Sequence, residues 1–356
     1  MTKADNRSTI IYSYPTYSSF VKKDEKLLSQ KFHIIKIKFL HFKNKLLLPV
    51  EWVIQFYHLI INIRKTDAYY CFFSGYHSFL PSLIGNIFSK PVIIIAGGTD
   101  CVSFPSIHYG NFNKKILSLF TKWTYQLSTI IVPVHEALIK YKYEYHNEDY
   151  PYQGIKYHVP DLRTPIKPIH NGYDYKFWSY SEENRKPNSF LTIGLADNRK
   201  SIIKLKGIDL IIEAAQIFPE SSFTIVGSKK VPEYMNIPEN VNFIPPVSLD
   251  QLKKIYSTHE FYFQLSMSEG FPNSLAEAML CGCIPIGSNV SGIPEIIGDT
   301  GFTLQHKSVA ELKKLIEKAQ KSDKKELSER AREKIRSDYP IERRRMELLE
   351  LINDNL

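Results

Sequence analysis

Two carboxylates, Glu269 and Glu277, flank the loop Gly270-Phe271-Pro272-Asn273-Ser274 within SEGFPNSLAEAMLCGCIPIGSNVSGIPE. A loop that feeds a helix start presents unpaired backbone N–H groups and the positive end of the helix dipole. That suits it to hold a diphosphate or sugar hydroxyls. Ser274 followed by Glu277 also fits a capping box, with Pro272 and Asn273 entering the turn. Leu275 to Leu280 reads as a short apolar helix, Gly282 as its left-handed terminator and Ile284-Pro285-Ile286 as a buried strand. Both glutamates therefore sit beside a buried helix.

The elements around them alternate. Apolar runs at 9–12, 32–35, 69–72, 92–95 and 129–132 are separated by helical stretches such as 77–88 and 111–127. The second half repeats this with strands at 190–193, 223–226, 261–263 and 284–286 and helices near 207–217, 248–257, 274–281 and 308–320. Such alternation is the pattern of parallel sheets covered by helices on both faces. Residues 150–168 are rich in Pro, Tyr and Gly and lack a helical period, which reads as a linker. The chain ends in a charged helical stretch, 341–356.

A length of 356 residues with 43% hydrophobic and 23% charged residues supports two ordinary domains and excludes disorder. The most apolar long stretch, 46–63, is interrupted by Glu51, Gln55, His58 and Asn62, so it reads as an amphipathic or buried helix and not a membrane span. The N-terminus has no apolar core of signal-peptide length, and a cytoplasmic location is expected. Cys71, Cys101, Cys281 and Cys283 are too few and irregular for a disulfide framework, and the last two read as small buried residues. No Asp-x-Asp cluster is present, and no metal is expected.

The segment from Glu269 to Glu277 resembles the Glu-x7-Glu signature of the retaining glycosyltransferases of family 4. Three further pieces agree in order: Asn171-Gly172-Tyr173-Asp174 resembles the family's Asn-Gly-x-Asp, Lys206-Gly207 its Lys-Gly, and Ser291 to Glu295 the loop after the Glu-x7-Glu helix. The resemblance implies an α/β GT-B fold, two Rossmann-like doubly wound domains facing across a cleft. An acceptor domain would span 1–168, joined by the last helix at about 341–356, and a donor domain 169–340. It implies a metal-independent retaining transferase that uses a UDP- or GDP-sugar and no cofactor, with a glycan or lipid-linked glycan as acceptor in surface polysaccharide or glycolipid biosynthesis.

By the same resemblance, Lys206 would stabilise the leaving diphosphate, Glu269 contact the transferred sugar and Glu277 the ribose. Main-chain groups of Gly270, Phe271, Pro272 and Asn273, with Ser274, would line the donor. Relatives have Gly-Arg after the first donor strand, but this chain has Gly194-Leu195, so Arg199 is the candidate substitute. The base is expected against Pro246 and Val247. Where many relatives carry a His after the fourth strand, this chain has Gly97-Gly98-Thr99-Asp100, which makes Asp100 the polar candidate there, with a turn or cap as its bland alternative. His77, His108 and His135 have no convincing catalytic setting.

Two other classes compete. A nicotinamide oxidoreductase would need a Gly-x-Gly-x-x-Gly turn where Tyr14-Pro15-Thr16 stands. A non-catalytic carbohydrate-binding or scaffold protein of the same shape is opposed by Lys206, Glu269 and Glu277 all being present. Charge is uneven: residues 1–170 hold 21 Lys plus Arg against 11 Asp plus Glu, and the remainder 25 against 26. Lys22, Lys23, Lys26, Lys31, Lys36, Lys38, Lys43 and Lys45 lead into Leu46 and Trp52, so an anionic inner membrane face is the expected partner surface, with a basic face for solubility or an acidic glycan as the alternative, and nucleic acid is not expected.

Overall fold

The structure is a computed structural model that describes residues 7–39, 45–180, 185–194, 199–228 and 233–356. The first half builds a sheet from β1 (Thr9–Tyr14), β2 (His33–Lys38), β3 (Ala68–Phe72), β4 (Val92–Ala96) and β5 (Ile130–Pro133), in the order β2-β1-β3-β4-β5. Its strand pairs are parallel. Between them run α1 (Ser19–Leu28), α2 (Leu48–Asn62), α3 (Tyr76–Ile87) and α4 (Lys115–Leu127). The run Val92-Ile93-Ile94-Ile95 is buried throughout, as a strand covered on both faces requires.

The linker is more structured than its composition predicts. It holds β7 (Tyr152–Gln153), which pairs antiparallel with β6 (Tyr141–Lys142) ahead of it, and a single turn, α5 (Ile155–His158). Its end then pairs with β5: Ile131 N–H donates to Pro165 O, and Lys167 N–H to Ile131 O, at 2.9 and 3.0 Å. The approach to Asn171 is thereby fixed to the first sheet.

The second half contains β8 (Lys186–Ile193), α6 (Lys200–Leu205), α7 (Ile208–Ile217), β9 (Ser222–Val226), β10 (Val241–Ile244), α8 (Leu249–Ser257), β11 (His259–Gln264) and α9 (Asn273–Leu280). There follow β12 (Ile284–Ser288), α10 (Ile293–Ile297), β13 (Phe302–Leu304), α11 (Val309–Gln320), α12 (Lys324–Asp338) and α13 (Ile341–Asn355). The sheet order is β10-β9-β8-β11-β12-β13, again parallel. Phe190 stacks on Phe223, Phe261 and Phe263 with ring centroids 5.1, 4.9 and 4.9 Å apart, which ties the three central strands together. All four cysteines are buried and free. Among the described residues, no helix is long and apolar enough to cross a membrane.

Each sheet reverses its order once, between β1 and β3 and between β8 and β11. Open α/β sheets bind ligands outside the carboxyl ends of the strands at such points. The loops after β1 and β3 meet those after β8 and β11 across one cleft.

The two halves are held together by a buried ion pair. Arg344 of α13 grips Asp24 of α1 with two hydrogen bonds, 2.8 Å to Oδ1 and 2.6 Å to Oδ2, and both residues are almost fully buried. Its remaining nitrogen donates to the carbonyls of Ile169 (3.1 Å) and His170 (3.0 Å), and Tyr70 also donates to Asp24 at 2.7 Å. Removing one partner of such a pair strands a buried charge at a cost of ~3–5 kcal/mol. We predict that Arg344→Met destabilises by that order and that adding Asp24→Asn recovers part of it. A loss below about 1 kcal/mol in denaturant unfolding would contradict this.

Candidate active site

Lys206 caps the end of α6, and the loop after β11 lies beside it because Met267 N–H donates to Leu205 O at 2.8 Å. The glycine that follows is required twice over. Gly207 has φ +67°, and a Cβ there would stand 2.2 Å from Leu265 O. The result is a direct pair: Lys206 Nζ donates to Glu269 Oε1 at 2.6 Å. The same oxygen accepts from Ser266 Oγ at 3.0 Å and Gln264 Nε2 at 3.2 Å, so the carboxylate is fixed in place. Desolvation pulls the Lys206 ammonium down, but the charge of Glu269 and its hydrogen bond outweigh it and hold the pKa above the ordinary lysine value. Lys206 is therefore a cation.

A cavity of about 700 Å³ opens here between the halves. Lys206, Glu269, Glu277 and Gly270 to Ser274 all line it, as does Asp174. The volume is that of a small-molecule site. Backbone meets backbone at its floor: a Cβ on Gly270 would lie 2.1 Å from Gly97 O, and one on Gly98 3.0 Å from Gly270 N. Larger residues at these positions would push the halves apart.

Asn171 and Tyr173 orient the start of α9. Asn171 Nδ2 donates to Phe271 O (3.4 Å) and Asn273 Oδ1 (3.3 Å), and Tyr173 Oη to Asn273 Oδ1 (2.9 Å). The Ser274–Glu277 capping box does not form. The helix starts two residues earlier than a Ser274 cap would place it, with Pro272 as its cap, so Ser274 instead donates to Gln264 Oε1 at 3.4 Å and Glu277 faces the cavity. Burial pushes the Glu277 carboxyl up to about 7, with the Lys23 ammonium pulling the other way.

Several expected site residues stand elsewhere. Asp100 is 1% exposed and turned away from the cavity. Its carboxylate accepts from the N–H groups of Ser74, Gly97 and Gly98 at 2.9, 3.0 and 3.1 Å and from Tyr125 Oη at 3.0 Å. Asp100 is thus the turn-binding aspartate of the Gly97-Gly98 loop, and the catalytic reading is corrected. Arg199, exposed at the start of α6 and adjoining residues 195–198, which are outside the described set, does not line the cavity. Gly194 packs beside Lys206, its absent Cβ 3.6 Å from Lys206 Cβ. Pro246 is exposed and Val247 packs on the core, while the cavity wall is made by Leu249 and Leu252 of α8.

The lysine-rich stretch is not one surface. Lys22, Lys23 and Lys26 line the cavity from α1, Lys36 pairs with Glu25 at 3.0 Å, and Lys43 lies outside the described residues. Lys23 Nζ donates to Gly172 O at 2.9 Å and stands 4.6 Å over the Tyr173 ring. Sequence reasoning missed these cleft lysines, although their i, i+1, i+4 spacing put them on one side of a helix. It also missed a cluster joining the halves: His135, Glu136, His170 and Glu295 bring ligand atoms within 4.8 Å. In that cluster His135 Nδ1 accepts from Ala137 N–H at 3.1 Å, which leaves the proton on Nε2, 3.2 Å from Glu295. These residues make polar contacts between the halves, with His170 Nε2 2.6 Å from Glu136.

Because its folded pKa is raised, Glu277 holds a proton that the unfolded chain releases, and stability is lost as pH rises from the ordinary carboxyl value through about 7. We predict that Glu277→Gln gains stability over the parent as pH rises from about 5 to 8, read as the difference in melting temperature. A pH-independent difference would contradict the shift.

Residues 184–338 match the family described as glycosyl transferases group 1. Curated relatives include the D-inositol 3-phosphate glycosyltransferase of Mycolicibacterium smegmatis, 25% identical over 165 residues (41% of this chain, 37% of that protein). Another is a phosphatidylinositol N-acetylglucosaminyltransferase subunit of Arabidopsis thaliana, 22% identical over 129 residues (33% of this chain, 29% of that protein). The chain therefore spans well under half the length of either. Among solved structures, sucrose-phosphate synthase of Thermosynechococcus elongatus superposes with a TM-score of 0.73 at 12% identity, covering 98% of this chain and 99% of the other. Anabaena HepE in complex with UDP and glucose gives 0.67 at 14%, covering 98% and 100%. The chain thus has the GT-B fold, and within it residues 184–338 are similar to the glycosyl transferases group 1.

Proposed function

We propose that the protein transfers a sugar from a UDP- or GDP-sugar to a glycan or lipid-linked glycan acceptor, with retention of configuration and without a metal, in surface polysaccharide or glycolipid biosynthesis at the inner face of the cell membrane. The observation that carries this is the Lys206–Glu269 pair facing Glu277 in one cavity at the meeting of two sheet switch points. The solved complex of HepE with UDP and glucose supports a nucleotide-sugar donor. The names of the two curated relatives, which specify inositol phosphate and phosphatidylinositol, support a phosphate-bearing acceptor, as do the cleft lysines of α1.

In this reading Lys206 pivots from Glu269 to the diphosphate and stabilises the charge that grows as the bond between the anomeric carbon and the phosphate oxygen breaks. The acceptor oxygen bonds to that carbon on the same face, and its proton passes to the departing phosphate oxygen. No side-chain base is then needed. Glu269, held by Ser266 and Gln264 when Lys206 moves, offers its other oxygen to sugar hydroxyls, and Glu277 accepts from the ribose hydroxyls. Lys22, Lys23 and Lys26 add positive charge from the facing wall, the service a divalent ion would otherwise provide.

The test is Lys206→Ala. Removing a group aimed at charge developing in the transition state costs on the order of 10²–10³ in turnover. We predict that loss of sugar transfer, with an unchanged far-ultraviolet spectrum and cooperative unfolding. Turnover within a few-fold of the parent would refute the assignment.

A further inference from the structure

The helix α2 is inside out. Val50, Val53, Ile54, Tyr57, Ile60 and Ile61 form one stripe at i, i+3, i+4 and i+7 spacing, and all are exposed, Val53 at 68%. The opposite stripe is buried and carries Glu51 at 4% and Gln55 at 3% exposure. Gln55 Nε2 is spent on His77 O at 2.6 Å. A helix at a water boundary does the reverse.

The neighbours extend the stripe into a field. With right-handed crossovers, the strand order puts α2, α3 and α4 on one face of the first sheet, and they pack in that order. On α4, Ile116 (64%), Leu119 and Trp123 are exposed as well. The gap between α2 and α4 is filled by aromatic rings: Trp52 lies 4.9 Å from Phe120, and Phe120 lies 5.3 Å from Trp123. Single exposed apolar residues need no explanation, but a continuous field over two helices does.

We infer that this face docks on a lipid bilayer containing anionic lipid. Its charge fits that occupant. Across 46–66, 76–91 and 114–128 the sole carboxylate is the buried Glu51, while Arg64 and Lys65 beyond the end of α2 and Lys114 and Lys115 at the start of α4 are exposed cations. Lys122, on another stripe of α4, is spent on Asp161 at 3.1 Å. An apolar field with Trp and Tyr, bordered by Lys and Arg, matches the boundary between acyl chains and anionic headgroups. A second copy fits less well, because a two-fold contact sets like-charged borders against each other. The inference does not depend on the proposed transfer reaction, and it moves the membrane surface from the α1 lysines, which face the cleft, to α2 and α4.

Sedimentation with vesicles of phosphatidylcholine alone, or mixed with phosphatidylglycerol, tests it on the full chain. The parent is expected to pellet with the anionic vesicles and to be released by salt. The triple variant Val53→Glu, Tyr57→Glu, Ile61→Glu should lower the partition coefficient by at least about tenfold. Its melting temperature should stay at the parent's, since the altered side chains are exposed. The variant Lys22→Gln, Lys26→Gln should bind vesicles within about threefold of the parent, its charges lying in the cleft. A parent that stays in the supernatant at low salt, equal binding to neutral vesicles, or a triple variant that binds like the parent would each overturn the inference. So would a parent dimer that the triple variant dissociates, with no vesicle binding by either.

Discussion

Asp24 and Arg344 lie 320 residues apart, and their contact closes the molecule on itself. Arg344 holds α1 by the Asp24 carboxylate and the junction by the carbonyls of Ile169 and His170, so one guanidinium fixes three parts of the chain relative to one another. Its planar fork suits that task in a way a lysine would not. The adjoining backbone continues the clasp: Tyr173 N–H donates to Tyr339 O and Ile341 N–H to Tyr173 O. The cleft is framed by these contacts. Because Lys23 of α1 donates to Gly172 O, the helix that carries the cleft lysines is registered on the same junction that orients Asn273.

On that frame the cavity has a defined polarity. Lysines face it from α1 and at residue 206, and the two glutamates are held in different states. Glu269 is satisfied by three donors, whereas Glu277 is desolvated and faces the ammonium of Lys23. The closeness of the Gly97-Gly98 and Glu269-Gly270 loops keeps the floor narrow. Asp100 contributes behind this surface by gathering three backbone N–H groups of the loops after β3 and β4. The motifs are as much devices for bringing backbone close as carriers of side-chain chemistry, with Gly207 and Gly270 the plainest cases.

The strands and most helices were legible because buried parallel strands are written as continuous Val, Ile and aromatic runs, as at Val92–Ile95 and Phe261–Phe263. Local pattern misled where tertiary contacts decide. Ser274 and Glu277 have capping-box spacing, but Gln264 claims the serine and the cavity the glutamate. Asp100 looked like a polar group at a strand end, and only three-dimensional neighbours reveal that its lone pairs are already taken. The Lys206–Glu269 pair spans 63 residues, so no window shows it. The apolar stretch 46–63 was readable as a helix, but which side faces the sheet depends on Glu51 and Gln55 finding partners inside, against the usual direction of amphipathicity.

In the proposed reading, one cavity binds the nucleotide, the diphosphate and the sugar in a set order along Glu277, Lys206 and Glu269. A crystal structure of the protein with a non-hydrolysable UDP- or GDP-sugar tests this most directly. The expected complex has ribose hydroxyls on the Glu277 carboxylate, a phosphate oxygen on Lys206 Nζ in place of Glu269, and sugar hydroxyls against Glu269 and the N–H groups of Gly270, Phe271 and Asn273. A donor bound away from these three side chains, or one in which Lys206 remains paired with Glu269 and touches no phosphate, would contradict it.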